Sequence, residues 1–261
     1  MTTVATETNF NFPVQLQDCF TADGKRVDRK AVVRTDTNTV ISDVSPNYKL
    51  VHHSELFHMA EEYMKTIGPC TVKYHQFNNG ARLLAEYTFK DIASDVKKGD
   101  VVGLKTYFAN SYDGKSSIRL GVAGIRLACL NGMVVAGANK EASYRHMGNH
   151  IQDGRLVNID FPEAKHVIGA FERGAKHWQH LSQIELSPEQ INAYQEQAVG
   201  EGIITPKIIE TTDIEEFTAW GLYNKFTEQI THKERATSTL NGKIQRFNKV
   251  ANWFEEVFTN A

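Results

Sequence analysis

The chain has 261 residues, which is enough for one large domain or two small ones with a buried core. Hydrophobic residues make up 41% and charged residues 23%, as in ordinary globular proteins, and no apolar run approaches the roughly 18 residues that a membrane-spanning helix needs. The formal net charge of −2 indicates no partner by itself, so any preference must come from how the charges are distributed.

The start of the chain and its cysteines bear on the cellular setting. The first twelve residues contain neither a basic segment nor an apolar one, so we do not expect a secretory signal. Cys19, Cys70 and Cys129 are widely spaced and form no CxxC pair, which argues against a disulfide framework and a zinc ribbon. We therefore expect a cytoplasmic protein without a cofactor.

The first fifty or so residues carry only short signals. Residues 1–29 are polar and predict a flexible N-terminal arm with a short strand or two. Segments 30–34 and 39–44 predict a hairpin, and residues 48–51 predict another short strand. Over residues 54–66 apolar side chains recur every three or four positions, which predicts a helix capped by Ser54 and ended by Gly68-Pro69.

Two longer hairpins follow. Segments 70–77 and 81–90 flank Asn78-Asn79-Gly80, and segments 101–110 and 117–129 flank Asp113-Gly114, a strong hairpin signal. The last strand-like piece, residues 125–135, is expected to break at Asn131-Gly132. Residues 30–158 thus predict a β-rich core, an antiparallel meander with one helix.

For the remainder, residues 159–261, we expect a helical region packed on that core. Helical periodicity covers residues 160–184, 187–200, 213–230 and 240–258. The second of these begins with Ser187-Pro188, where Gln190 completes a capping signature. Strands followed by helices favour an α+β fold, with a long helix on the sheet, over a doubly wound parallel sheet.

Positive charge is concentrated in the β-rich part. Residues 71–155 hold 12 Lys+Arg and 7 Asp+Glu, whereas the segments after it are net acidic. Alternation along the strand places Tyr107 on the same face as Lys105, and rings beside cations suit single-stranded nucleic acid. A solvated sheet face is the alternative interpretation of the charge, and cross-strand packing is the alternative role of Tyr107. The candidate nucleic-acid contacts are Lys105, Tyr107, Lys115, Arg119, Arg126, Lys140, Arg145 and His146.

The sequence contains no motif of an NTPase, a dinucleotide-binding enzyme or a hydrolase. It contains no GxxxxGK[ST], no GxGxxG after a strand, no GxSxG and no HExxH. The histidine pairs 146/150 and 177/180 would each share one face of a helix, but no further metal ligand is evident, so surface or hydrogen-bonding roles are the alternative. We expect neither NTPase activity nor a catalytic site.

Several separated motifs follow one another along the chain. They are N-S-x-D-G at residues 110–114, Arg126, Cys-x-N at residues 129–131, Arg-His at residues 145–146 and a Trp-x-x-x-Asn helix at residues 220–224. Together they resemble a family of phage- and plasmid-related proteins of undefined function. Asn131-Gly132 departs from the Asn-Thr of typical members. The resemblance covers roughly residues 30–235 and implies a phage, prophage or plasmid protein in a bacterial cytoplasm.

A basic antiparallel hairpin sheet followed by a long helix, without an ATP motif, also looks like the single-strand annealing proteins of phage recombination. That likeness implies sequence-independent binding of single-stranded DNA through its phosphates by a homo-oligomeric ring or filament, away from any membrane. Two other hypotheses stay open. One is a phage-encoded interaction protein that modulates a host factor through the acidic helical half, and the other is a metal-dependent nuclease that uses His146 and His150.

Overall fold

A computed structural model gives the architecture of residues 10–126, 131–134, 142–157, 159, 161–206, 214, 216–230 and 240–259. For residues 126, 131–134, 142 and 240–244 it describes the backbone alone. Antiparallel sheets are followed by helices, so the predicted α+β class is confirmed.

The strands in chain order are β1 Val14–Phe20, β2 Arg26–Arg34, β3 Thr39–Val44, β4 Thr71–Phe77, β5 Arg82–Lys97, β6 Asp100–Ser111, β7 Ile118–Arg126, β8 Asn131–Val134, β9 Ala142–Tyr144, β10 Ile151–Gln152 and β11 Arg155–Leu156. The helices of the described residues are α1 His53–Ile67, α2 Ala164–Gln183, α3 Pro188–Gly200, α4 Ala219–Glu228 and α5 Leu240–Thr259.

The strands form three sheets. Strands β1, β2 and β3 form one antiparallel sheet in that order, and β10 pairs with β11. In the main sheet the order is β4-β5-β6-β7-β8, and β9 also pairs with β7. Because neighbours in sequence are neighbours in this sheet, the predicted meander is confirmed.

The chain divides into two compact units that share strands. Unit 1 comprises Met1–Phe89, Thr106–Gly121 and Lys140–Ala164, and unit 2 comprises Lys90–Lys105, Val122–Asn139 and Lys165–Ala261. Strands β5, β6 and β7 therefore contribute residues to both units.

One core of unit 1 lies against the three-stranded sheet of β1, β2 and β3. Alternate residues of its strands point inward and pack with two tyrosines from outside the sheet, as period-two alternation requires. The buried members of this core are Phe12, Val14, Val32, Val44, Tyr48 and Tyr112. The segment containing β1 belonged to the predicted arm, in which a strand was expected.

The core of unit 2 is aromatic. Trp178 of α2 and Trp220 of α4 are fully buried with ring centroids 6.2 Å apart, and Phe254 of α5 is buried as well. The ring of Trp178 covers Gly124, where an added Cβ would lie 2.4 Å from a ring carbon. Removing large buried rings of this kind costs about 3–5 kcal/mol each.

Several local predictions hold and others are wrong. Helix α3 has the predicted cap, since Ser187 accepts from the Gln190 N–H and the Gln190 side chain accepts from the Ser187 N–H. Helix α1 starts one residue before Ser54, with His52 at the cap position and no side-chain cap. The predicted helix at 213–230 begins only at Ala219, capped by Thr218.

The predicted strand at 48–51 does not form. The Lys49 N–H donates to the carbonyl of His146, and the His52 N–H donates to that of Gly154, so two irregular segments replace a strand ladder. Asn131-Gly132 lies within β8 rather than at a break, because both residues pair with β7.

Candidate nucleic-acid interface

Helix α1 covers one face of the part of the main sheet that lies in unit 1. The Tyr74 ring of β4 meets the Phe57 ring edge-on with centroids 5.7 Å apart, and the Thr106 hydroxyl of β6 donates to the Met64 sulfur at 3.0 Å. Because side chains alternate along a strand, the residues flanking Tyr74 and Thr106 point to the opposite side. We call that side the outer face.

The outer face carries basic side chains among apolar and polar ones. In unit 1 its residues include Thr71, Lys73, His75, Phe77, Arg82, Leu84, Glu86, Thr88, Tyr107, Ala109, Arg119 and Gly121. Glu86 bonds the His75 ring at 3.0 Å, and Arg82 donates to the Asp113 carboxylate at 2.7 Å in a pair that is almost fully buried. Three cations therefore share this face with one acid. The sequence prediction missed Lys73, although alternation within the β4–β5 hairpin would have placed it there.

Two further cations lie at one end of the β7–β9 pair. Ile118 pairs with Tyr144, so Arg145 follows the last paired residue of β9, while Lys115 precedes β7 in the turn. Both side chains are exposed, and Arg119 pairs one step further along, opposite Ser143. The register thus brings three predicted contacts, Lys115, Arg119 and Arg145, to the same end of the sheet.

A buried polar cluster fixes the turn that carries Lys115. The Asn110 amide donates to the carbonyl of Val51 at 2.9 Å and to Nδ1 of His53 at 3.0 Å, and its oxygen accepts from the Ser111 N–H. His53 Nε2 then donates to the Gly80 carbonyl at 3.0 Å. Burial lowers the pKa of His53 to about 3, so the ring is neutral and its Nδ1 serves as an acceptor.

Tyr48 contacts both the N-S-x-D-G motif at residues 110–114 and the Arg-His motif at residues 145–146. Its hydroxyl donates to the Ser111 carbonyl at 2.7 Å, and its ring stacks on His146 at 4.7 Å. An added Cβ on Gly114 would lie 3.9 Å from the same ring, so the Asp-Gly turn rests beside it. Nothing in the local sequence marked Tyr48, because its partners are distant along the chain.

His146 has a role other than the predicted one. Its Nδ1 donates to the Lys49 carbonyl at 3.1 Å, and the side chain is only 6% exposed. Burial lowers its pKa to about 4, so it carries no charge to offer a phosphate near neutral pH. Its Nε2 has no hydrogen-bond partner among the residues that the structure describes. His146 therefore holds the loop that carries Arg145 against the segment around Lys49, with its ring buried.

Tyr107 is likewise interior. Its ring lies across Gly121 on the neighbouring strand, where an added Cβ would come within 2.2 Å of a ring carbon, and 8% of the residue is exposed. This is the cross-strand packing that the sequence left open, and it leaves no ring face on which a base could stack.

The other predicted contacts lie elsewhere. Lys105 is half-buried and belongs to unit 2. Arg126 ends β7 in unit 2, with only its backbone described, and Lys140 lies outside the described residues.

The histidine pairs serve as hydrogen-bonding groups. His146 and His150 lie in a loop rather than on a helix, and His150 Nε2 donates to the Arg145 carbonyl at 2.8 Å. On α2, His180 Nε2 donates to the Phe258 carbonyl at 3.2 Å. Within the described parts of the chain no three His, Cys, Asp or Glu side chains are grouped as metal ligands would be.

The two motifs that meet at Tyr48 and the Trp220 helix all lie within residues 40–251, where one family model matches the chain. The chain belongs to the DUF932 family. The model of this domain of unknown function matches residues 40–251, which include α1, the main sheet and α4 but not β1. Neither a curated protein nor a solved structure matches the chain. Among the described helices of this DUF932 protein, none has the length and apolarity to cross a bilayer.

Proposed function

We propose that this DUF932 protein binds single-stranded DNA and anneals it without ATP, as a phage or mobile-element recombination protein in the bacterial cytoplasm. The observation that carries the proposal is the gathering of Lys115, Arg119 and Arg145 at one end of the sheet whose outer face also carries Lys73. Cations on one surface bind the phosphates of a strand and release its counterions.

The neighbouring acids support this proposal because they are already engaged. Asp113 is paired with Arg82, and Asp43 with Arg29. Arg145 has no ion-pair partner among the described residues. A phosphate at this end of the sheet would therefore meet cations while the carboxylates of Asp113 and Asp43 are held in ion pairs.

The burial of Tyr107 favours annealing over base recognition. A protein that anneals two strands must leave their Watson–Crick edges accessible. If the described cations contact phosphates while Tyr107 stays buried among them, the surface holds the backbone and leaves the bases free to pair. Such binding is independent of sequence.

The salt dependence of binding tests the proposal. If Lys73, Lys115, Arg119 and Arg145 each meet one phosphate, the logarithm of the binding constant should fall with the logarithm of salt at a slope of about −3, since each contact on a single strand adds about −0.7. Fluorescence anisotropy of a labelled oligonucleotide measures this slope. No binding at low salt, or a binding constant that does not change with salt concentration, would contradict the proposal.

A double variant, Lys115→Gln with Arg145→Gln, locates the surface. It should weaken binding about tenfold, because two phosphate contacts are lost. The matched control is Lys25→Gln with Arg26→Gln, which removes the same charge from the β1–β2 turn, where the side chains are 82% and 66% exposed. Equal losses in both variants would show a non-specific charge effect. Energy transfer between two labelled complementary strands, without ATP, measures annealing.

A further inference from the structure

Helix α2 has an exposed basic stripe. Its buried side carries Val167, Phe171 and Trp178. The exposed side carries Lys165, Glu172 and Lys176, with Arg173 alongside, and half-exposed Gly169 lies between them at helical spacing. The guanidinium of Arg173 lies beside Gly169, 3.6 Å from where its Cβ would be.

Helix α3 has an acidic stripe with the same spacing. Glu189, Ala193 and Glu196, which are exposed, are followed by Gly200, so these positions repeat the intervals at which the stripe of α2 runs from Lys165 to Lys176. Residues 177–206 hold four glutamates and no lysine or arginine. Unit 2 thus carries two helices of opposite charge, each with its charged stripe exposed.

An apolar side chain adjoins the acidic stripe. Phe217 is 50% exposed, and its carbonyl accepts from the N–H of Leu186 at 2.9 Å. Leu186 immediately precedes Ser187, the cap of α3. The backbone of Phe217 thus lies next to the segment that leads into α3, and exposed aromatic side chains near charged surfaces are typical of interfaces with an apolar anchor and a polar rim.

We propose that the basic stripe of α2 docks on the acidic stripe of α3 in a second copy of this chain, with Phe217 as the apolar anchor. The exposed side of α2 has three cations and one acid, and residues 177–206 hold four glutamates without a lysine or arginine, so complementary net charge favours this occupant over an unrelated partner. The contact joins two different surfaces, so one free stripe of each kind remains at the two ends of any open assembly, and association continues into a ring or an open filament. The contact does not depend on nucleic acid.

Charge reversal with rescue tests this contact. Sedimentation velocity without nucleic acid should show wild-type assembly that grows with concentration and shrinks with salt. The variant Arg173→Glu/Lys176→Glu should associate at least about tenfold more weakly, and so should Glu189→Lys/Glu196→Lys, since each places like charges opposite one another. Mixing the two variants should restore assembly, because each reversed stripe then faces its complement.

The rescue separates a specific contact from a folding defect, which mixing could not repair. The matched control, Lys98→Glu with Lys249→Glu, makes the same change in charge at two other exposed positions of unit 2 and should assemble as the wild type does. A wild-type chain that stays monomeric at low salt, or a mixture that fails to assemble, would overturn the contact. Either result leaves the proposed DNA binding untouched.

Discussion

The two units bury polar groups in different ways. In unit 1, Asn110 bonds groups 57 and 59 residues away and His146 bonds one 97 residues away, so polar side chains hold distant irregular segments together. In α4 of unit 2, Asn224 and Thr227 mainly bond carbonyls of their own helix. Loops without a ladder need such bonds to stay in place, whereas a helix satisfies its own backbone. Unit 2 also contains a buried long-range bond, from the Trp220 indole to the Asp100 carboxylate. Unit 1 differs in that its buried polar side chains hold irregular segments and include the fully or almost fully buried rings of His53 and His146.

A fall in pH should destabilise unit 1 more than unit 2, and this is the largest effect that we expect. Buried His53 and His146 have pKa values lowered from 6.5 to about 3 and about 4, so the unfolded chain binds more protons than the folded one below pH 6.5. Stability is then lost as the pH falls from about 6.5 to about 4 for His146 and to about 3 for His53. At about 1.4 kcal/mol per pKa unit, the losses are on the order of 3 and 5 kcal/mol.

Hydrogen exchange resolved by peptide would locate the acid effect. Between pH 7 and pH 5, and after correction for intrinsic exchange rates, peptides around residues 48–56 and 106–116 should lose protection before those of α4 do. The variant His146→Gln should reduce the acid sensitivity, and His58→Gln, at an exposed position of α1, should not. Burial also lowers the pKa of half-buried His177 in unit 2, so equal loss in both units would contradict the comparison.

Asn110→Ala should be the next largest effect. It leaves His53 Nδ1, the Val51 carbonyl and the Ser111 N–H without their partner, at about 1 kcal/mol or more for each buried group, or about 3–4 kcal/mol together. Urea unfolding followed by circular dichroism measures the loss. The control Asn47→Ala, at an exposed position, should stay within about 0.5 kcal/mol of the wild type. If Asn110→Ala lowered the free energy of unfolding no more than this control does, the cluster would contribute little to stability.

Asp100 supplies a smaller test in unit 2. Its carboxylate accepts from the indole N–H of Trp220 at 2.8 Å, so Asp100→Ala should cost about 2 kcal/mol, whereas Asp100→Asn keeps an acceptor and should cost less. All three tryptophans, Trp178, Trp220 and Trp253, belong to unit 2, so tryptophan emission reports on that unit. An alanine variant as stable as exposed Asp91→Ala would show that the bond is dispensable.

The accuracy of the sequence predictions follows the range of the interactions involved. The hairpins at Asn78-Asn79-Gly80 and Asp113-Gly114 and the cap of α3 depend on neighbouring residues, and they were predicted correctly. The charged end of the sheet was anticipated from charge density. Its arrangement depends on the β7–β9 register, which no local pattern specifies.

The errors concern residues whose environment is set by distant parts of the chain. Alternation placed Tyr107 on a polar face, but only the missing side chain of Gly121 allows its ring to lie flat and become buried. From the sequence, His146 was expected to act with Arg145 as a phosphate contact. In the structure its ring stacks on Tyr48, which lies almost one hundred residues earlier in the chain. Residues 48–51 had the composition of a strand, yet their bonds go to irregular segments.

The close approach of Tyr107 to Gly121 also restricts how the family can diverge. Any residue with a Cβ at position 121 would overlap the ring, so a mutation there survives selection only after position 107 has become small. The reverse order is open, since shrinking position 107 first leaves a gap that a larger residue at 121 can later fill. An alignment of homologues should therefore show the two positions changing as a pair, with a bulky residue at one of them at a time.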